Sequence, residues 1–183
     1  RTNMIDHDDT AHYNNEKWTI KDNGNPWYAV FGADRVPAAH SVKTTKKGAS
    51  SSNALTYDLN IGPNKSQEIN FVVSGSYRSK EEATMSFEHI LKNAKSLFKA
   101  KQKRYGHLAQ RSKLTIPDKD IQQAFEWLKY NCDWLVRHVP EIGTGIGAGL
   151  PNYPWWFGVD SKFALQGYMA IGQTKIVEQT IAL

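Results

Sequence analysis

Residues 67–110 read QEINFVVSGSYRSKEEATMSFEHILKNAKSLFKAKQKRYGHLAQ, and the hydrophobic period changes inside this stretch. Gln67–Ser74 alternates through Ile69, Phe71 and Val73, as a strand with one apolar face does. From Glu81 to Gln110 the apolar set is Phe87, Ile90, Leu91, Ala94, Leu97, Phe98, Tyr105 and Leu108. These residues fall on one helical face. A helix of about 30 residues is about 45 Å long, more than the width of a small domain. It reads as a connector along a sheet or across to another body, with Gly106 weakening its last part. Strands before this point and helices after it make the fold class α+β.

Upstream, Lys17–Lys21 and Trp27–Phe31 flank the turn signal Asp22–Pro26 and predict a hairpin. Residues 43–54 (KTTKKGASSSNA) predict a long polar loop. Leu55–Ile61 alternates and predicts a second hairpin with Gln67–Ser74, turning at Gly62–Ser66. Half-apolar strands need a second layer, and a β-sandwich is the expected solution.

Downstream, Pro117, Asp118 and Asp120 mark the start of a helix expected to reach His138, before Pro140. Its apolar stripe is Ile121, Phe125, Leu128, Cys132, Leu135 and Val139, with Trp127, Asn131 and Trp134 beside it. Cys132 reads as a small core residue within that stripe. His138 reads as an end residue suited to the helix dipole.

The 183 residues carry 40 % apolar residues and six tryptophans, enough for a packed core. No apolar run approaches the roughly 20 residues of a membrane helix. A single cysteine excludes an internal disulfide framework. Opening on Arg1 with no apolar leader is expected of a stretch from inside a longer gene product or of one lacking disordered residues, and the expected location is cytoplasmic. Eight Lys or Arg and three Glu fall within residues 80–112, a local excess equal to the whole chain's +5. Acids early and bases late suit a helix dipole, so the segment reads as a solvated helix face and not as a nucleic-acid footprint.

Residues 143–160 read GTGIGAGLPNYPWWFGVD. Tyr153, Trp155, Trp156 and Phe157 in one loop make either a domain interface or the wall of a pocket. Rings beside a single carboxylate suit a sugar: a pyranose stacks its apolar face on a ring, and the carboxylate accepts hydrogen bonds from two hydroxyls. Asp160 also stands where a helix N-cap is expected, before Phe163–Ile171. Gly143, Gly145 and Gly147 follow a helix, lack the GxGxxG spacing and carry no Lys-Ser/Thr, so a nucleotide loop is not expected. No metal-ligand spacing and no Ser-His-Asp context is present, and neither a metal nor a cofactor is expected.

The segment NYPWWFGVDSKFALQGYMAIGQ resembles the bacterial glycogen debranching enzyme-related family, of the amylo-α-1,6-glucosidase type. That family is similar to glucoamylases and other glycosidases with an (α/α)6 barrel. PDKDIQQAFEWLKYNCDWL is similar to its first barrel helix, and the basic helix before it to the linker from an N-terminal β-sandwich. The resemblance implies part of a sandwich at 1–78, a linker helix at 79–113 and the start of the (α/α)6 toroid at 114–183. It also implies that Asp160 holds hydroxyls of the non-reducing sugar, without being the proton donor. Trp155, Trp156 and Phe157 would line that subsite, and Leu150, Asn152 and Tyr153 its rim. Many relatives carry Arg immediately before this aspartate; here the residue is Val159.

An inverting glycosidase needs a general acid and a general base roughly 6.5–9.5 Å apart. Glu126 and Glu141 read as an exposed helix flank and a loop edge, so no catalytic pair is expected in this chain. The expected partners are an α-glucan or oligosaccharide and the remainder of the barrel, from the same or another chain, with no nucleic acid and no membrane. The alternative expectations are a carbohydrate-binding module without catalysis and a structural interaction module.

Overall fold

The computed structural model describes residues 7–44 and 51–183. It is a mixed α+β fold with several strands and four helices among the described residues. Two compact units divide within the long helix, between Phe98 and Lys99.

In the first unit, β1 (Asp9–Asn14), β2 (Lys17–Asp22) and β3 (Tyr28–Ala33) form an antiparallel meander. The β1–β2 turn sets both Asn15 and Glu16 at positive φ, 48° and 63°, which matches the twist of a tight hairpin. The expected β2–β3 hairpin is present. Asp22 organises its turn, accepting from the backbone N–H of His7, Gly24 and Asn25 at 3.0, 2.8 and 2.7 Å. Burial pulls the Asp22 carboxyl upward, but these donors outweigh it and hold it below the usual carboxylate range.

The second expected hairpin is not formed. β4 (Ala39–Thr44) pairs with β5 (Ser51–Thr56), and β6 (Phe71–Ser76) adds antiparallel to β3 instead. Residues 51–54, expected in a polar loop, therefore lie in a strand; residues 45–50 of that loop fall outside the described residues. Asp34 fixes the entry to β6 by accepting from the Asn70 backbone N–H at 3.0 Å and its side-chain amide at 2.6 Å. The side chains of β6 also face opposite to the expected alternation. Val72 is 4 % exposed, while Phe71 and Val73 are 67 % and 74 % exposed. Phe71-Val72-Val73 is apolar on both parities, so the long-range partner decides which parity is buried.

That partner is α1 (Lys80–Gln110). Its start is set by Ser79, whose Oγ accepts the Glu82 N–H at 3.1 Å, with Glu81 and Glu82 in the first turn. Val72 packs with Val30, Ala83 and Phe87, flanked by Tyr28, Ile90 and Leu91. Gly32 admits the Phe87 ring: a Cβ there would stand 3.1 Å from its Cζ. On the opposite face of the sheet, Trp18 is buried and donates its indole N–H to Ala54 O at 3.1 Å, which ties β2 to β5. His40 of β4 stacks on Tyr13 of β1 at 3.7 Å. The four-stranded sheet thus has a helix on one face and a two-stranded sheet against part of the other.

The second unit holds α2 (Lys119–Trp134), the hairpin of β7 (Val136–Val139) and β8 (Gly143–Ile146), α3 (Gly158–Ala170) and α4 (Thr174–Ile181). Asp118 caps α2 by accepting from Asp120 N and Ile121 N at 2.9 and 3.1 Å. The helix stops short of His138, which lies on β7 with its Nδ1 2.8 Å from Thr144 Oγ1. His138 is a cross-strand partner and not a helix-end residue.

Ile146, Tyr168 and Val177 form the core here, flanked by Cys132, Val136, Leu165 and Ile176. Tyr168 donates its hydroxyl to Cys132 O at 2.6 Å. Burial pushes the Cys132 thiol and the Tyr168 phenol upward, which suits an inert core. The expected α2 stripe is only partly covered: Ile121 and Leu128 are 56 % and 52 % exposed. The buried residue of α2 is Lys129. Its Nζ donates to Ala109 O and Arg111 O at 2.8 and 3.0 Å, closing the carbonyl end of α1.

Candidate functional site

The loop after β8 continues as a narrow ribbon before α3. Gly147 N donates to Leu135 O at 2.8 Å and Ala148 N to Trp155 O at 3.2 Å. Gly149 and Tyr153 exchange both backbone hydrogen bonds, at 2.9 and 2.6 Å. Leu150, Pro151 and Asn152 form the tip, with a cis Leu150–Pro151 peptide. The ribbon therefore carries Tyr153 and Trp155 on a fixed backbone, where a loose loop would not.

Arg137 on β7 holds the returning strand. Its guanidinium donates to Pro154 O and lies 5.4 Å from the centre of the Trp155 ring. One face of that indole is thus occupied by a cation. Sequence reasoning missed Arg137 because residues 136–139 were expected to extend a helix. The signal was a short Val-x-x-Val run and a Gly-Thr-Gly-Ile run either side of Pro140, a hairpin pattern concealed by the helical stripe before it.

Tyr153, Trp155 and Phe157 are exposed, and Trp156 is half-buried. Trp156 packs against the β8 backbone, where a Cβ on Gly145 would stand 3.2 Å from its Nε1. That Nε1 is buried and has no hydrogen-bond partner among the described residues. Asp160 is exposed in the first turn of α3. Phe157 occupies the N-cap position, with no side-chain cap, so Asp160 does not cap the helix; its carboxylate is left facing solvent beside the positive helix end.

The five candidate residues are close in sequence but border different hollows. Asp160 lines a cavity of about 350 Å³ with Gly147, Ala148, Phe163 and Tyr168. Trp156 and Phe157 line another of about 550 Å³ with Ile142, Lys162 and Leu183. Ser161 borders both. Tyr153 and Trp155 line neither and stand on the exposed ribbon. Val159, beside the carboxylate, is exposed.

Glu126 accepts from Gln122 Nε2 at 2.9 Å on the exposed side of α2. Among the described residues, no three His, Cys, Asp or Glu converge as a metal site, and no helix is long and apolar enough to cross a membrane. No family model matches the chain, and neither a curated protein nor a solved structure matches it.

Proposed function

We propose that this chain is part of a glycoside hydrolase acting on α-glucosidic linkages, of the glycogen-debranching amylo-α-1,6-glucosidase type. Residues 1–78 belong to a β-sandwich, 79–113 to a linker helix and 114–183 to the start of an (α/α)6 barrel. The 150–160 segment contributes part of the first sugar subsite. The observation that carries this reading is the braced ribbon: Arg137 holds Trp155 from one side, and the exposed Asp160 carboxylate, a few residues on, borders a cavity of its own.

In this reading a pyranose stacks on an exposed ring of Tyr153, Trp155 or Phe157, and the exposed Asp160 carboxylate accepts from its hydroxyls. Trp156, half-buried against Gly145 of β8, anchors the segment that carries these rings. The general acid and base come from barrel helices outside these residues, in the same or another chain, and the protein works in the cytoplasm. The outward-facing Ile121, Leu128 and Phe163 on α2 and α3 support this arrangement, since neighbouring barrel helices would cover them.

The same apolar residues favour a second reading, a structural interaction module whose aromatic loop docks on a protein. Calorimetric titration with maltotriose and isomaltose separates the two. The glycosidase reading expects weak, saturable binding without release of glucose, lost in Asp160→Ala. No affinity for either sugar, in a chain that remains folded by circular dichroism, would end the sugar reading and leave the interaction module.

A further inference from the structure

The basic run in the sequence has a feature that a solvated helix face does not need. Lys103 and His107 lie four residues apart on α1, and Arg111, four residues further, is the first residue past its end; its N–H still bonds back to His107 O at 3.2 Å, so all three share one side with the adjacent Arg104. All four line a cavity of about 470 Å³ within the second unit, together with Asp133 and Gln173. Asp133 is ion-paired with Arg104, so that pair is neutral. Lys103 and Arg111 remain as charge excess, and His107 offers a further ring N–H. Arg111 uses one N–H on Gly172 O at 3.4 Å, which leaves the rest of its fork available.

The second observation is independent of these charges. Gln173 is only 5 % exposed, and its Nε2 is buried without a hydrogen-bond partner among the described residues. An orphaned buried amide is costly, and an acceptor entering the cavity that Gln173 lines would relieve that cost once the side chain turns toward it. Helix C-termini ordinarily repel anions through their bare carbonyls. Here the Lys129 ammonium already satisfies the carbonyls of Ala109 and Arg111, so the end of α1 does not oppose a negative guest.

We propose that this cavity binds the phosphate group of a small molecule. A guanidinium, an ammonium, an imidazole and an amide on its walls match an oxyanion with several acceptor oxygens, whereas a carboxylate is satisfied by one Arg fork. The volume exceeds that of a bare phosphate and leaves room for a compact organic remainder against Leu108. This site is separate from the aromatic ribbon and does not depend on the sugar reading.

Isothermal titration of the 183-residue chain with inorganic phosphate and with glucose 6-phosphate, at constant ionic strength, tests it. Saturable one-site binding is expected, weakened about tenfold in Lys103→Gln and in Arg111→Gln. It should be unchanged in Lys95→Gln, which removes the same charge elsewhere on α1. Gln173→Met should weaken binding without lowering the melting temperature, a combination that a purely structural amide does not give. Tighter binding of glucose 6-phosphate identifies an organic phosphate as the guest, and equal binding identifies the free ion. No saturable heat with either probe, or equal losses in Lys95→Gln and Arg111→Gln, would overturn the proposal.

Discussion

The two units carry similar apolar stripes that meet different fates. In the first, the early part of the α1 stripe closes on a sheet: Val30, Val72, Ala83 and Phe87 are all buried together, while Leu97 and Phe98 further along are exposed. In the second, Ile146, Tyr168 and Val177 form a small core, while α2 and α3 turn Ile121, Leu128 and Phe163 outward. A helical period states which residues share a face. It does not state whether anything lies against that face. Around Phe87 the first unit supplies its own cover, although Phe71 and Val73 on the other face of its sheet stay exposed; on α2 and α3 the apolar residues are left as surface of the kind that binding partners cover.

The widest expected gap comes from two matched truncations. Phe87→Ala should cost about 3–5 kcal/mol in urea unfolding, whereas Phe163→Ala should stay within about 0.5 kcal/mol. Equal losses would mean that the face of α3 is covered in solution. Next in size is Lys129→Met, which removes the cation from two helix-end carbonyls and should cost about 2–3 kcal/mol. A neutral result would show that water reaches those carbonyls.

Two glycines sharpen the same contrast. Gly32→Ala pushes a Cβ to 3.1 Å from Phe87 Cζ and should cost about 1–2 kcal/mol. Gly167→Ala on α3 meets nothing within 4 Å and should gain up to about 1 kcal/mol. Thermal melts of both variants check the pair.

The smallest expected effect is on acid stability. The Asp22 and Asp34 carboxyls are held below their ordinary range: donors outweigh burial at Asp22, and the Asn70 side chain and backbone act at Asp34. Their contribution is complete above the unfolded value of about 3.9 and is lost as pH falls through the folded values. Asp22→Asn should therefore flatten the acid limb of the first unit's stability profile, as followed by Trp18 fluorescence. An unchanged limb would assign that pH dependence elsewhere.

The legible parts of the fold were local. DNGNP announced the β2–β3 turn, and the apolar spacing from Phe87 to Leu108 announced α1. What stayed hidden depended on distant partners. Val72 faces inward because Gly32 and Phe87 make room for it, a choice invisible within Phe71-Val72-Val73. Leu59 and Ile61 continue an alternating pattern but are exposed beyond the end of β5, since no strand among the described residues pairs with them. At the candidate site the residue types were readable, but their separation into two hollows was not. That separation follows from Trp156 packing against the Gly145 backbone while Asp160 rides on α3. Arg137 was hidden for the same reason as the β7–β8 hairpin: a helical stripe ran into it without a break.

The most direct test of the sugar-binding claim uses the six indole N–H signals of the chain. In a ¹H–¹⁵N titration with maltotriose, the signal assigned to Trp155 by Trp155→Phe should shift and saturate. Trp18, buried and bonded to Ala54 O, should stay fixed. Saturation at Trp155 that disappears in Asp160→Ala is the predicted result. A static Trp155 signal, or a drift common to Trp155 and Trp18, would contradict it.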